Sequence, residues 1–256
     1  MKVVTDVGQL PSGCAFVPTM GALHAGHASL MSIAKEHSEN VVVSIFVNPL
    51  QFENTEDLAK YPRTPDADIE LAAMHGVTHV WLPPHAEIYP KDHPVLTAGP
   101  ISHLYEGKSR PGHFDGVVTV VRRFFDLLKP STAIFGEKDF QQVKLVEEIA
   151  GDVKIIRAPI IREADGLAMS SRNIRLTPEG RAAAAVISQA LFASETESEL
   201  RKALGSQPLL TVDYADIIDE GNFLPVTRDT THARAIVAGW INGVRLIDNR
   251  QMVQRS

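Results

Sequence analysis

The sequence contains a single cysteine, Cys14, and no run of apolar residues long enough to cross a membrane. One thiol excludes an internal disulfide, which fits a reducing compartment. The first residues, MKVVTDVGQLPSG, lack the apolar stretch of a signal peptide. We therefore expect a cytoplasmic protein with no membrane partner. Because Cys14 lies in the apolar run CAFV, a buried position is favoured over a role as nucleophile.

The sequence also lacks an excess of basic residues. Its 25 Lys and Arg face 31 Asp and Glu, for a net charge of −6. A general nucleic-acid binder would usually be basic, so no nucleic acid is expected as a partner. A local phosphate site needs only a few cations and N–H groups and stays open. The 256 residues, 44% apolar and 22% charged, are ordinary for a globular protein of one or two domains.

Short apolar runs alternate with helical patterns over the first 160 residues. Strands are predicted at 14–17, 41–47, 78–82, 132–135 and 153–156, and helices at 28–35, 67–74, 116–128 and 138–150. The run VVVSIFV is apolar on both faces, as a buried parallel strand should be. This order predicts an α/β fold, a doubly wound, Rossmann-like parallel sheet. Ligands of such folds lie at the carboxyl ends of the strands.

The pattern changes near residue 160. Helices are predicted at 178–191, with Thr177 as N-cap and Pro178 as first residue, and at 196–204. Strand-like runs follow at 212–218, 233–238 and 244–248. We therefore predict a nucleotide-binding domain over residues 1–160. A smaller α+β domain, a lid carrying the loop MSSR, is predicted over residues 161–256.

The segment PTMGALHAGH, residues 18–27, is the strongest local motif. It predicts a strand ending at Pro18, a small-residue loop, and a helix beginning near Gly26. Free N–H groups at a helix start suit an anion, and His24 and His27, three residues apart, add donors. Alternatives are a partial metal site or unrelated surface histidines. No Cys or carboxylate lies at ligand spacing, and the Walker A pattern is absent.

Two further segments carry phosphate-binding chemistry. GEKDF, residues 136–140, places Lys138 at a strand end, with Asp139 available for ribose hydroxyls. MSSR, residues 169–172, combines two hydroxyls with the guanidinium of Arg172. The alternatives are an ordinary helix start for the first and a solvated linker with a helix cap for the second.

Amides and a second cationic segment complete the candidate site. Asn48, Gln51 and Gln142 can orient a polar substrate without titrating. The alternative is turn chemistry at the Asn-Pro pair, which is stronger for Asn48 than for Gln51. Arg110 and His113 lie in SRPGHFDG, before a predicted helix. They either contribute to the pocket or shape an ordered loop.

Six segments in order resemble the pantothenate synthetase (pantoate–β-alanine ligase) family: PTMGALHAGH, SIFVNPLQF, YPRT, SRPGHFDGVVTVV, FGEKDFQQ and READGLAMSSRN. They span residues 15–175. HxGH and MSSR are also similar to the HIGH and KMSKS motifs of class I aminoacyl-tRNA synthetases. The resemblance implies that pantoate and ATP form pantoyl adenylate and pyrophosphate. The amine of β-alanine then displaces AMP to give pantothenate.

The resemblance also implies a set of site residues. Those matching the ATP site are Met20, Gly21, Ala22, Leu23, His24, Ala25, Gly26, His27, Gly136, Glu137, Lys138, Asp139, Ile161, Met169, Ser170, Ser171 and Arg172. His27 matches the family's proton donor, and His24, Lys138 and Arg172 join it as the catalytic set. Residues matching the pantoate and β-alanine site are Gln51, Gln142, Asn48, Tyr61 and Glu106. Mg²⁺ would accompany the ATP phosphates, with no protein metal site, and a homodimer is implied.

Two features depart from the family pattern, and other functions compete. Ala25 stands where HEGH is usual, and the segment before the first predicted strand is short. A nucleotidyltransferase that passes AMP to a phosphorylated acceptor would share HxGH, but it would not need VNPLQF or SRPGHFDG. The intact His24, His27, Lys138 and Arg172 argue against a non-enzymatic binding protein. Size and acidic charge disfavour a tRNA synthetase.

Overall fold

The computed structural model describes residues 1–52 and 55–252 of the chain. These residues divide between two compact units, with the boundary between Pro159 and Ile160. Each unit has its own sheet and its own buried apolar residues. No helix in the described ranges has both the length and the apolar character that crossing a membrane requires.

The first unit contains a six-stranded sheet in which every described pairing is parallel. Its strands are β1 Lys2–Val4, β2 Ala15–Thr19, β3 Val41–Ile45, β4 His79–Trp81, β5 Thr132–Gly136 and β6 Lys154–Ala158. Its helices are α1 Ala25–His37, α2 Thr55–Lys60, α3 Pro65–Met74, α4 His85–Ile88, α5 Tyr105–Ser109, α6 His113–Leu128 and α7 Phe140–Ile149. The predicted α/β, Rossmann-like fold is confirmed.

The strand order of this sheet, β1-β4-β3-β2-β5-β6, creates a switch point beside β2. From β2 the chain crosses through α1 to β3 on one side, and later it places β5 on the other side. The loops that leave β2 and β5 therefore diverge at the carboxyl edge of the sheet. This is the position at which open α/β sheets bind their ligands.

Two local predictions in the first unit are corrected. Pro18 does not end its strand, because β2 continues to Thr19. At Pro18 the strand pairs only with β3, since its pairing with β5 stops at Phe16, so the missing N–H removes no ladder bond. The strand β1 was not predicted, because three residues carry too little pattern.

The interior of the first unit is formed by apolar residues of the sheet and of α1. Val17, Val43 and Ile134 from neighbouring strands and Met31 from α1 are completely buried. Cys14 is also fully buried, as predicted, and burial raises the pKa of its thiol to about 12. The thiol is therefore protonated at neutral pH and is no nucleophile.

The second unit packs two helices, α8 Pro178–Ala193 and α9 Glu197–Gly205, against an antiparallel sheet. The strands are β7 Thr211–Asp219, β8 Ala233–Ile241 and β9 Val244–Met252, in the order β7-β8-β9. Thr177 caps α8 by accepting the Gly180 N–H at 3.1 Å, as predicted. The predicted α+β character of this region is confirmed.

Candidate active site

Two histidines form the start of α1 and cap each other. His24 is the N-cap, and its Nδ1 accepts the Gly26 N–H at 3.1 Å. In return, Nδ1 of His27 accepts the His24 N–H at 3.2 Å. The two ring centroids lie 4.2 Å apart. This is a reciprocal capping box built from imidazoles, and it fixes both rings.

The capping bonds determine which nitrogen of each neutral imidazole carries the proton. A ring nitrogen that accepts an N–H carries no proton, so in the neutral ring the proton lies on Nε2. Burial lowers the pKa of His27 to about 3 and that of His24 to about 4, and the positive charge of Lys138 contributes to both shifts. Both rings are therefore neutral at pH 7. Each offers one donor, Nε2–H, which has no hydrogen-bond partner among the described residues.

The depressed pKa values make stability depend on pH in a defined direction. The unfolded chain binds protons at these histidines below pH 6.5 while the folded chain does not, so stability falls as pH decreases from neutrality. For His27 we expect a loss of about 2 kcal/mol between pH 7 and 5. Urea unfolding at both pH values measures it. A His24→Asn/His27→Asn double variant should show a shallower dependence, and an unchanged slope would contradict the assignment.

Backbone donors in the loop before α1 are turned into the protein. The Gly21 N–H donates to Thr19 Oγ1 at 3.2 Å. The N–H groups of Ala22 and Leu23 donate to the carboxylate of Asp68, at 3.0 and 2.7 Å. Asp68, on α3, was not identified from the sequence, where it is one of three acidic residues in PDADIE. Its function follows only from the contact between α3 and this loop.

The first turn of α1 has few free donors as well. The N–H groups of His24 and Gly26 serve the capping box, and that of His27 donates to the His24 carbonyl. Within the described ranges, only the N–H of exposed Ala25 has no partner in the segment from Gly21 to His27. The expected row of free backbone N–H groups is therefore wrong. Donors to an anion here are mainly the two imidazole Nε2–H groups.

Lys138 is the cationic residue that the candidate site has in the first unit. It lies in the 3-10 turn Glu137–Asp139, directly after β5, which ends at Gly136. Its ammonium is 3.2 Å from the Asp139 carboxylate. Burial is the larger cause of the lowered pKa of both histidines, and the charge of Lys138 adds to it. The helix α1, which begins at the two imidazoles, packs against β5, which leads directly into Lys138. The structure thus brings the predicted residues of two motifs together at the switch point.

Beyond β3, Asn48 and Gln51 form a buried amide pair. Asn48 Nδ2 donates to Gln51 Oε1 at 2.8 Å and to the Gly116 carbonyl at 3.0 Å. Asn48 Oδ1 accepts the Tyr89 hydroxyl at 2.7 Å and the Leu50 N–H at 3.3 Å. These bonds use all four hydrogen-bonding positions of the Asn48 amide. They also fix the Gln51 amide, with its oxygen engaged and its NH₂ group left to donate.

The backbone of Gln51 is held by the segment that contains Arg110 and His113. The Gln51 carbonyl accepts from His113 Nδ1 at 3.0 Å and from the Arg110 guanidinium at 3.3 Å. Arg110 also lies 3.0 Å from His113 Nε2. Because a guanidinium only donates, this Nε2 must accept, and the ring proton lies on Nδ1. Of the two alternatives for this segment, the structure supports an ordered loop that anchors Gln51.

The remaining predicted substrate residues lie in different surroundings. Glu106 is 7% exposed, and its N–H donates to the Gln141 side chain at 3.1 Å. The neighbouring Gln142 is half-buried and forms no hydrogen bond through its side chain within the described ranges. The ring of Tyr61 packs edge-on against Phe52 at 5.6 Å. Gln141, which was not identified from the sequence, holds the Glu106 backbone through its side chain. The side-chain amide of the next residue, Gln142, can therefore bind a ligand.

The MSSR loop lies in the second unit and is described within it. Its base is a short hairpin in which the Met169 N–H donates to the Ile161 carbonyl at 2.9 Å. Ser170 caps the 3-10 helix Ser171–Arg175 by accepting the Arg172 N–H at 3.2 Å. Arg172 is half-buried as a residue, and its guanidinium forms no ion pair with any described residue. Ser170 is thus a cap, while Arg172 keeps its charge available.

Comparison with known proteins identifies relatives over nearly the whole chain. The profile of the family described as Pantoate-beta-alanine ligase matches residues 2–251. "Pantothenate synthetase" of Acidothermus cellulolyticus is 47% identical over 258 residues, covering 93% of this chain and 85% of that protein. The protein of the same name from Paracoccus denitrificans is 44% identical, with 91% and 88% covered.

Solved structures give the same result for the fold. Pantothenate synthetase from Thermus thermophilus superposes with a TM-score of 0.93 at 41% identity, covering 98% of this chain and 99% of that one. The ligase from Francisella tularensis, complexed with beta-gamma ATP and beta-alanine, gives 0.84 at 35% identity, covering 98% and 97%.

Proposed function

The chain belongs to the pantoate–β-alanine ligase family, and from this premise we propose how its residues join pantoate to β-alanine with ATP. A pantoate carboxylate oxygen attacks the α-phosphorus of ATP, and pyrophosphate leaves. The β-alanine amine then attacks the acyl carbon of the adenylate, and AMP leaves as pantothenate forms. The observation that carries the proposal is the pair of imidazoles fixed at the start of α1, with Lys138 in the turn that follows the neighbouring strand β5.

The first step needs positioning and charge stabilisation more than proton transfer. As pyrophosphate leaves, negative charge grows on its oxygens. The Nε2–H groups of His24 and His27 donate to these oxygens, and Lys138 supplies the positive charge. Neutral rings held by capping bonds need no reorganisation during the reaction. His27 is neutral in the protein without substrate, so its proposed function is that of a hydrogen-bond donor rather than of a charged acid.

Residues of the second unit complete the proposed ATP set. The Arg172 guanidinium binds phosphate oxygens, for which its fork geometry is suited. Ser171, Met169 and Ile161 contribute to the nucleotide site, and Ser170 holds the backbone of Arg172 through its cap. Gly136, Glu137 and Asp139 act alongside Lys138, with Asp139 serving the ribose hydroxyls.

Gln51 and Gln142 provide the donors for pantoate in this proposal. The Gln51 oxygen is engaged by Asn48, so its NH₂ group donates to a substrate oxygen. Asn48, whose hydrogen bonds are all used inside the protein, acts through Gln51. Tyr61 and Glu106 complete the pocket in which pantoate and β-alanine are held.

Replacing Gln51 with glutamate tests this orientation. A carboxylate still accepts from Asn48, but it cannot donate and it repels the pantoate carboxylate. We expect kcat/KM for pantoate to fall by about 10- to 100-fold, the scale of a hydrogen bond to a charged group, while the KM for ATP stays within about twofold. Steady-state kinetics with each substrate varied measures both. An equal rise in the KM for ATP would contradict a role specific to pantoate.

Mg²⁺ is proposed to accompany ATP. Among the described residues, no three His, Cys, Asp or Glu side chains converge as metal ligands. The proposed ion would be held mainly by phosphate oxygens and water, as Mg²⁺ commonly is at nucleotide sites. When bound, Mg²⁺ neutralises part of the triphosphate charge.

ATP–pyrophosphate exchange tests the proposed reaction directly. Exchange should require pantoate and proceed without β-alanine, and AMP release in excess of one per enzyme should require β-alanine as well. The alternative, transfer of AMP to a phosphorylated acceptor, is not favoured by the family assignment. Exchange that depends on a phosphorylated acceptor and not on pantoate would refute the ligase reaction.

We also propose that the enzyme acts as a homodimer in the cytoplasm. The dimer rests on the family resemblance, and the location rests on the single buried cysteine. Sedimentation equilibrium tests the dimer, since a mass near 28.0 kDa would contradict it. Cell fractionation tests the location.

A further inference from the structure

Asp68 is a buried carboxylate whose hydrogen bonds all run to one loop and to its own helix start. It is 2% exposed. Its oxygens accept the N–H groups of Ala22 and Leu23 and, at 3.0 Å, the hydroxyl of Thr64. No cation pairs with it within the described ranges. A charge buried in this way is stabilised only by the dipoles that point at it, so its contacts are specific.

The loop that Asp68 holds has an unusual backbone. Gly21 and Ala22 both have positive φ, at +83° and +51°. The left-handed region is unfavourable for alanine, so Ala22 needs support from its surroundings. A Cβ on Gly21 would lie 2.9 Å from Asp68 Oδ2 and 3.0 Å from Ile45 Cγ2. The carboxylate therefore accepts two N–H groups of the loop and leaves no room for a side chain at Gly21.

This loop leads directly into the imidazole capping box. Leu23, whose N–H donates to Asp68 at 2.7 Å, immediately precedes His24. A two-residue left-handed segment with unpaired N–H groups could adopt several conformations, and each would move the start of α1. An asparagine could not replace the carboxylate, because its NH₂ group would face a backbone N–H.

We propose that Asp68 is a positioning residue for adenylation, which fixes Gly21–Leu23 and thereby sets the Nε2–H groups of His24 and His27 against the triphosphate. This role rests on the proposed function of the two histidines. It acts on the step in which pyrophosphate leaves. The attack of β-alanine on a preformed adenylate involves no pyrophosphate and should be much less sensitive to Asp68.

The test separates the two half-reactions in an Asp68→Asn variant. With ATP and pantoate, single-turnover adenylation should slow by about 10- to 100-fold, the cost of small displacements of reacting groups. With pantoyl adenylate and β-alanine supplied, pantothenate formation should stay within about threefold of wild type. Asp66→Asn, at an exposed position on the same helix, is the matched control and should leave both rates unchanged.

Several outcomes decide between positioning and general structural damage. An adenylation rate within threefold of wild type would overturn the proposal, as would equal losses in both half-reactions. If Asp68→Asn does not fold, Gly21→Ala displaces the carboxylate instead and should show the same split between half-reactions. Absence of pantoate-dependent exchange in the wild-type enzyme would refute the proposed function itself, which is a separate result.

Discussion

Replacement of Lys138 with alanine is expected to lower the rate of adenylation by about 10²–10³-fold, the scale for losing one charge-stabilising donor. Burial is the main cause of the low pKa of His24 and of His27, and the positive charge of Lys138 adds to both shifts. In the proposed reaction its ammonium approaches the oxygens to which both rings donate. Because the charge on pyrophosphate develops as the bond to the α-phosphorus breaks, the loss should appear in kcat more than in the KM for ATP.

Lys144→Ala is the matched control for Lys138→Ala. Lys144 lies on α7, a few residues further along, and its ammonium is 3.6 Å from the Glu147 carboxylate. Removing it changes the net charge by the same amount at a site outside the proposed pocket, and adenylation should remain within about twofold of wild type, as for an ordinary surface pair. Similar losses in both variants would indicate a general charge effect. Rapid-quench measurement of pyrophosphate release separates these outcomes.

The sequence predicted the parallel sheet because its strands carry strong apolar patterns. The segment VVVSIFV predicts a buried strand from its own residues, whatever segments it pairs with. Three-residue β1 and four-residue α4 do not stand out, since tertiary contacts stabilise them more than local pattern does. The sequence pattern therefore predicts no element between residues 83 and 112, although this region contains α4 and α5.

The residues proposed for the site can be named from the sequence, but the hydrogen bonds that hold them cannot. His24 lies in the segment that follows the first predicted strand and Lys138 at the end of another, and the sheet places these two strands, β2 and β5, side by side. The direction of the loop N–H groups depends on Asp68, about 45 residues away in the chain, and no local pattern indicates that contact. The same holds for the saturation of Asn48 by Tyr89 and Gly116.

The two nitrogens of His27 have different functions in this structure, and two substitutions separate them. Asparagine places an oxygen close to the position of Nδ1, so it can accept the His24 N–H and keep the cap. It lacks any donor at the position of Nε2. Glutamine extends an NH₂ group towards that position while losing the acceptor at Nδ1. A catalytic role through Nε2–H therefore makes His27→Asn the more damaging change to the reaction, and a purely structural role makes His27→Gln the more damaging one.

We expect His27→Asn to lower adenylation by about 10²–10³-fold, with thermal stability near that of wild type. His27→Gln should retain at least about tenfold more activity than His27→Asn despite the loss of an N-cap bond, which typically costs about 1 kcal/mol of stability. Pyrophosphate exchange and thermal melting of both variants provide the comparison. Equal activities, or greater activity in the asparagine variant, would mean that the ring serves α1 alone. Because a neutral donor has no proton to gain near pH 7, the loss in His27→Asn should be the same at pH 6 and pH 8, and a loss confined to the lower pH would instead reveal a charged imidazole.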